Sequence, residues 1–489
     1  MKKLKELVGR LEHIKYIKGD LSKTIEGIAY DSRKVGNNYI FVATKGLVYD
    51  GHDFIKDAVE NGASAVIAER ELPLVFDRAT QIIVNDSKKA LAVIAKAFYN
   101  DVDEEMCLIG ITGTNGKTTT TYLIKDILEN SGKKVGLIGT ICNKIGDKEF
   151  PTERTTPESL DIFKLFKEMH ENNVKDVVME VSSHGLALQR VHGLRFDIGI
   201  FTNLTQDHLD FHGDLQNYYS AKKKLFELSQ IGIINIDDNA GKRLFEEIDI
   251  PKISYGIRNP CDIRAEDIRF SPKGVNFKVI MPSGESEIIS INTPGIFSVY
   301  NALASISAGF FLGIKLHKIK EALMKSKSVP GRFEVIDEGQ DFQVIVDYAH
   351  SPDGLENILK GVKEFTTGKI ILVFGCGGNR DKTKRPIMGK IAAELSDYVI
   401  VTSDNPRFEN PEAIASEIEK GIKQSGGNYV KILNRKDAIE YAIRQAHSND
   451  TVVIAGKGHE TIQIIGDRNV PFDDRKVARE VLRRIKKWN

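Results

Sequence analysis

Residues 107–132 read CLIGITGTNGKTTTTYLIKDILENSG, and this stretch decides the fold. An apolar run meets a loop holding Gly110, Gly113 and Gly116; Lys117 and Thr118 follow, then an amphipathic segment. The order predicts strand, phosphate-cradling loop and helix. Glycines let the backbone approach an oligophosphate, and free N–H groups at a helix N-terminus attract negative charge. Lys117 is placed to reach terminal phosphates, and the Thr118 hydroxyl to ligate Mg²⁺. The strict G-x-x-x-x-G-K-[ST] spacing fails, because Ile111 stands where the first glycine belongs, leaving a tighter G-T-N-G-K-T-T.

Around this stretch, 489 residues suggest about three domains, each able to bury a core. The 69 basic and 68 acidic residues balance to a net charge of +1, which gives no reason to expect nucleic acid or an anionic membrane as partner. Cys107, Cys142, Cys261 and Cys376 lack metal-like spacing and read as reduced thiols of a cytoplasmic protein. The basic start has no apolar signal-peptide core, and the longest apolar run, near 299–314, contains Asn301.

Before residue 100, extended segments are expected at 25–30, 39–43, 65–68 and 81–84, with helices at 52–61 and 88–98. The acidic stretch 100–105 reads as a linker. From residue 106, strands at 107–111, 135–139, 177–181, 198–201 and 231–236 alternate with helices at 117–130, 157–172 and 215–228. Such alternation argues a parallel sheet covered on both faces. Residues 262–291 break it as an antiparallel excursion, and helices at 298–313 and 318–325 follow. A hinge is expected at 329–332. A third βα series then places strands at 343–347, 369–374, 398–402, 429–432 and 452–455. Polar and glycine-rich clusters follow three of those strands, where doubly wound sheets bind ligands. The expected class is therefore α/β, with domains over 1–105, 106–330 and 331–489.

Glu180 ends a strand in VVMEVSSHG. A carboxylate there suits a metal bridging ATP phosphates; the competing reading is a cap or a salt bridge. His208, in NLTQDHLDFHG, is either a second ligand or a structural histidine. Lys222, Lys223 and Lys224 look like a solvated helix face, although neighbouring ammoniums lower one another's pKa, and a neutral lysine can take up carbon dioxide as a carbamate. Arg332 is either a ligand contact or a hinge salt bridge, and Asp347 and His350 sit beside it at a strand end. Arg380 and Arg407 each follow a strand in a Gly- or Pro-containing turn; two guanidinium forks can orient a carboxylate, and the competing reading is surface solvation.

The motifs GTNGKTT, ERTTPE, MEVSSHGL, NLTQDHLDFHG, YYSAKKKLF, PGRFE, DYAHSPDGL, GCGGNRDKTKRP, SDNPR and AGKGHET run in one order from Gly113 to Thr461. Together they resemble the Mur ligases over nearly the whole chain, and within that family the members that add the third residue of the peptidoglycan stem peptide. The resemblance implies an N-terminal domain for the UDP end, a central P-loop ATPase and a C-terminal Rossmann-like domain for the incoming amino acid. It implies ATP contacts at Gly113, Thr114, Asn115, Gly116, Lys117, Thr118, Thr119, Asn301, Arg332 and Asp347. UDP-muramoyl-dipeptide contacts are implied at Tyr30, Ser32, Leu47, Val48, Tyr49, Thr155, Thr156, Ser182 and Arg190. Magnesium is implied at Thr118, Glu180, His208 and a carbamylated Lys222, with Lys117, Glu180, His208 and Lys222 as the catalytic set. Arg380, Asp404, Asn405, Pro406, Arg407, Gly456 and Glu460 are implied for the amino acid.

In that family the DNPR stretch accompanies meso-diaminopimelate, whose second amino-acid head carries a carboxylate; lysine would set an ammonium beside Arg407. The implied reaction joins meso-diaminopimelate to the D-glutamate carboxylate of UDP-N-acetylmuramoyl-L-alanyl-D-glutamate through an acyl phosphate. The alternatives are the same ligase using L-lysine, a folylpolyglutamate synthetase-like ligase, and a nucleotide switch. Expected partners are the UDP-linked dipeptide, meso-diaminopimelate and ATP, with no nucleic acid, no membrane insertion and a monomeric cytoplasmic chain. One departure stands out: Leu188 occupies the place of a family glutamine, and Gln189 follows it.

Overall fold

The computed structural model describes residues 1–46, 49–71 and 78–486. Three larger sheets organise it. The middle one is eleven-stranded among the described residues. Its strand Cys107–Thr112 lies between Asp176–Glu180 and Phe196–Phe201, parallel to both. Alternation across this sheet decides the layers. Leu108 and Val177 face one core, shared with Phe163 and Phe166; Ile109, Ile111 and Val178 face another, shared with Val299, Leu303 and Ile306. The helix Ile296–Phe311, which contains most of the longest apolar run, is thus a core element, and no helix among the described residues is long and apolar enough to cross a membrane.

The expected antiparallel excursion forms Ile263–Ser271, Gly274–Ile280 and Ser286–Ile291. Rather than standing apart, it extends the central sheet, because Ile263–Ser271 also pairs in parallel with Lys252–Gly256. At the opposite edge, the hairpin Asn143–Ile145 with Lys148–Phe150 was not expected from the sequence.

The N-terminal sheet runs Ile14–Lys18, Thr80–Val84, Ala63–Ala68, Tyr39–Val42, Gly27–Ala29, parallel except for its first strand. The expected linker at 100–105 is instead a packed turn. Val102–Glu105 is a 3-10 helix, Val102 is buried, and buried Asp103 takes a 2.9 Å hydrogen bond from Lys96. One apolar core is continuous across the turn, joining Leu7, Ile40 and Ile94 to Phe163 and Phe166.

The C-terminal sheet has the order Glu334–Val335, Gln343–Asp347, Thr451–Ala455, Ile370–Phe374, Tyr398–Val401, Tyr429–Lys431. Threading Thr451–Ala455 between two earlier strands makes Thr451–Ala455, Ile370–Phe374 and Tyr398–Val401 neighbours. Two of the expected polar loops, GCGGNRDKTKRP and SDNPR, and the AGKGHET stretch that leaves Thr451–Ala455 are therefore adjacent. The Phe297 and Phe333 rings lie tilted against each other with centroids 5.4 Å apart.

Candidate functional site

The phosphate loop owes its shape to two glycines. Gly113 has φ +151°, and a Cβ there would lie 1.8 Å from Thr202 Oγ1; Gly116 has φ +84°, with a Cβ 2.4 Å from Asn301 Oδ1. The helix Lys117–Asn130 begins at Gly116 with no side-chain cap, which leaves its first-turn N–H groups for an anion. Thr119 lies in that first turn. Thr202 Oγ1 donates to the Asn115 carbonyl at 2.6 Å, and the Asn115 N–H donates to Asn203 Oδ1 at 2.9 Å. Thr114 Oγ1 stands 3.2 Å from the Tyr218 hydroxyl.

Lys117 Nζ donates at 2.8 Å to the carbonyls of both Gly113 and Thr114. Lys222 Nζ donates to the same Gly113 carbonyl at 2.7 Å and lies 4.4 Å from the Tyr218 ring centre. The solvated-face reading of Lys222 is corrected here: the residue is 1% exposed. Its neighbour Lys223 pairs with Glu247 at 2.9 Å instead. Burial, and then the charge of Lys117, bring the Lys222 amine well below the ordinary lysine range. Its partner in that effect is therefore Lys117, not the adjacent lysines. Lys117 is lowered too, by burial first, with Glu180 and Asp207 opposing.

Glu180 is fully buried at a strand end beside the loop. Its carboxylate accepts hydrogen bonds from the Thr118 hydroxyl at 2.9 Å, the Thr140 N–H at 2.8 Å and the Thr140 hydroxyl at 2.9 Å. No cation pairs with it among the described residues. A buried anionic oxygen donor facing a hydroxyl fits a hard divalent cation such as Mg²⁺, which keeps waters and substrate phosphates as further ligands. No group of three or more His, Cys, Asp or Glu converges into a cage among the described residues. His208 has φ +53° and sits 3.4 Å from Asp207 Oδ2. Desolvation holds its ring down to about 4, Asp207 opposing and Lys117, His350 and Lys222 assisting, so it is a neutral donor at pH 7.

Arg332 bridges domains. Its Nη2 lies 3.3 Å from Thr118 Oγ1, and its guanidinium covers the Tyr348 ring at 4.4 Å. The Asp347 carboxylate accepts the N–H groups of Phe333 and Ala349, both at 2.7 Å, next to Arg332.

On the other side of Glu180, Thr140 Oγ1 lies 3.0 Å from Thr155 Oγ1. Thr156 Oγ1 donates to the Glu180 carbonyl at 2.9 Å and to Ser182 Oγ at 3.0 Å. Arg190 contacts the Thr156 carbonyl at 3.0 Å and Glu158 at 2.9 Å. Thr155, Thr156, Ser182 and Arg190 thus form one cluster adjoining the carboxylate. Tyr30 reaches it from the N-terminal sheet, its hydroxyl donating to Asp161 at 2.6 Å. Ser32 is buried among the N-terminal elements, whereas Tyr49 is 72% exposed. Leu47 and Val48 lie outside the described residues. Gln189 takes a left-handed φ of +60°.

The third group sits on the three adjacent C-terminal loops. Arg380 and Arg407 flank Gly377: a Cβ there would lie 3.7 Å from Arg380 Cγ and 3.0 Å from Arg407 Nη1. Arg407 Nη1 donates to the Gly378 carbonyl at 2.9 Å, and Arg380 to that of Asn379 at 3.3 Å. Neither guanidinium forms a salt bridge with a carboxylate among the described residues. Burial and then the charge of Arg380 lower the Arg407 pKa. Asp404, Asn405 and Pro406 are buried beside them. Gly456, at φ +117°, allows Asp404 to approach; a Cβ would meet Asp404 Oδ2 at 2.7 Å.

Sequence reasoning passed over three contributors here. Fully buried Lys457 donates to Asn405 Oδ1 at 3.0 Å and Glu460 Oε2 at 2.8 Å. Thr140 holds Glu180, and its place just past the strand Val135–Ile138 was a usable signal. The hairpin Ile462–Ile465 with Arg468–Pro471 braces Arg407, whose N–H donates to Ile464 at 3.1 Å.

Comparison with known proteins agrees with this arrangement. Residues 24–99 match the Mur ligase family, catalytic domain; 111–309 match the Mur ligase middle domain; 331–458 match the Mur ligase, glutamate ligase domain. The chain belongs to the Mur ligase family. It is 49% identical over 485 residues to the "UDP-N-acetylmuramoyl-L-alanyl-D-glutamate--2,6-diaminopimelate ligase 1" of Clostridium acetobutylicum, covering 99% of this chain and 100% of that protein. The like-named ligase of Caldanaerobacter subterraneus subsp. tengcongensis is 49% identical over 478 residues, covering 97% of this chain and 98% of that one. A solved structure of a "UDP-N-acetylmuramoyl-L-alanyl-D-glutamate--2, 6-diaminopimelate ligase" superposes with a TM-score of 0.71 at 31% identity, covering 99% of each chain. As a Mur ligase, the chain is built from three α/β domains that match along its length.

Proposed function

We propose that this Mur ligase joins meso-diaminopimelate to the D-glutamate carboxylate of UDP-N-acetylmuramoyl-L-alanyl-D-glutamate, splitting ATP to ADP and phosphate, in peptidoglycan synthesis. The observation that carries the amino-acid assignment is that Arg380 and Arg407 both lie beside Gly377, neither forming a salt bridge with a carboxylate among the described residues. A second carboxylate on the incoming amino acid supplies the missing charge; lysine would add a cation to a site already electropositive. Full-length relatives bearing the diaminopimelate ligase name support the same reading.

The D-glutamate carboxylate attacks the ATP γ-phosphorus, and the bond to the ADP oxygen breaks, leaving an acyl phosphate. The neutral amine of diaminopimelate then attacks the acyl carbon, phosphate departs, and the amine proton is lost to solvent or base. Lys117 and the N–H groups of the phosphate loop offset charge on the transferred phosphoryl group. Arg332, placed between that loop and the C-terminal domain, adds a third positive group at Thr118. Mg²⁺, when bound, neutralises repulsion between the two anions. Thr118, Glu180, His208 and a carbamylated Lys222 would hold it. Burial lowers the pKa of the Lys222 amine, which favours carbamate formation, in which amine and carbon dioxide give a carbamate and release one proton. Thr155, Thr156, Ser182 and Arg190 orient the muramoyl peptide beside Glu180, with Tyr30 and Ser32 toward the UDP end. Asp404, Asn405, Gly456 and Glu460 take the amino-acid head groups.

The test is ADP release from purified protein supplied with UDP-muramoyl dipeptide and either diaminopimelate or lysine. Turnover with diaminopimelate and little with lysine is expected. ATP consumption without a lengthened peptide overturns the reading.

A further inference from the structure

Arg385 is fully buried in the loop-to-helix segment that follows Arg380. Its Nη1 donates to Glu409 at 3.0 Å and Glu417 at 2.8 Å; its Nη2 donates to Glu409 at 3.1 Å and to the Gly377 carbonyl at 3.2 Å. Glu409 in turn accepts the N–H of Asn379, while its own N–H donates to the Pro406 carbonyl at 3.0 Å. Arg385 and Glu409, the latter also 3.4 Å from Lys382, therefore tie together both loops that carry Arg380 and Arg407.

The lacing between those loops is close. The Gly378 N–H donates to the Asn405 carbonyl at 2.9 Å, and the Phe408 N–H to Asn379 Oδ1 at 3.1 Å. A Cβ on Gly378 would sit 1.9 Å from the Pro406 carbonyl oxygen. The hydrogen bonds of the Arg385 guanidinium, and then that of the Asn379 N–H, hold the Glu409 carboxyl down at about 2, so the clamp stays ionised through the neutral range. A buried ion pair roughly breaks even against apolar packing of the same volume, so stability alone is a weak reason for one here. What a planar guanidinium fork supplies is fixed geometry.

We propose that Arg385 and Glu409 are positioning residues of the amino-acid pocket: together they set the spacing of Arg380 and Arg407, and through it the preference for a diamino acid with a second carboxylate. This rests on the diaminopimelate reading above. Neither residue touches substrate; both act through the loops.

The experiment is steady-state kinetics on the full-length enzyme with Glu409→Gln and Arg385→Lys, measuring KM separately for diaminopimelate and ATP, kcat, and relative use of lysine. Loosening a clamp of this kind by a fraction of an ångström is expected to raise KM for diaminopimelate about tenfold or more in Glu409→Gln. The ATP KM stays within about twofold, and the diaminopimelate-to-lysine ratio falls. Arg385→Lys, which keeps a cation, should lose less, and it serves as the test if Glu409→Gln does not accumulate folded. Unchanged diaminopimelate KM in both variants overturns the proposal. So do equal rises in both KM values with a lowered melting temperature, which a merely structural role produces. Failure of the underlying reading is separate: it shows in the wild-type enzyme, as no use of diaminopimelate at all.

Discussion

The phosphate-loop site and the paired-arginine site solve opposite problems with the same raw material, positive charge near glycine. In the first, two amines turn inward to share one carbonyl oxygen, that of Gly113, and burial lowers the pKa of both. In the second, two guanidiniums donate to backbone carbonyls of loops that Arg385 and Glu409 tie together. Lysine suits the first site because its pKa moves readily on burial; arginine suits the second because its charge persists and its fork is rigid. Chemistry that needs a tunable amine and recognition that needs a constant charge are thereby kept in separate domains.

That contrast can be broken experimentally. Lys117→Ala should show the largest effect, a fall in ADP release of about a thousandfold or more, as for loss of a preorganised charge at a phosphoryl group. Retained turnover would remove the phosphate-loop assignment. Lys222→Ala should lose about a hundredfold or more, partly restored by a short carboxylic acid that replaces the carbamate. An active Lys222→Ala enzyme, or an inactive one that no acid rescues, argues against the carbamate. Arg407→Ala should raise KM for diaminopimelate about ten- to a hundredfold, the range for one charge-assisted contact. ATP binding should scarcely move, and equal losses in both would end the distinction between the two sites.

The smallest effect concerns acid. Glu409 has a folded-state pKa of about 2, below its unfolded value of about 4.3. Its stabilising contribution is therefore complete above the unfolded pKa and is lost as pH falls toward 2. Denaturant midpoints measured across that window should fall more steeply for wild type than for Glu409→Gln.

Much of this was legible because the relevant signals are local. The phosphate loop is one contiguous stretch whose glycines and lysine act on each other's backbone, so its residues identify it without the rest of the chain. The βα alternation located most strands of the two larger parallel sheets for the same reason: period and turn residues are properties of neighbours. Where local pattern and tertiary burial disagree, sequence misled. Three successive lysines look solvated, yet only Lys222 points beneath the phosphate loop, while Lys223 reaches Glu247. The acidic run at 100–105 looks like a tether, yet Asp103 is buried against Lys96.

The residue pattern by itself determined the class of fold and the glycine-rich loop with its lysine, and it singled out Arg380 and Arg407 as candidates for holding a carboxylate. Tertiary structure alone decided which of the three lysines is buried with its pKa lowered, that Thr140 joins Thr118 in holding Glu180, and that Arg385 and Glu409 tie the two loops together. The reason is physical: propensity and motif spacing act over a few residues, whereas desolvation and the meeting of side chains 24 to 109 positions apart exist only once the chain is folded.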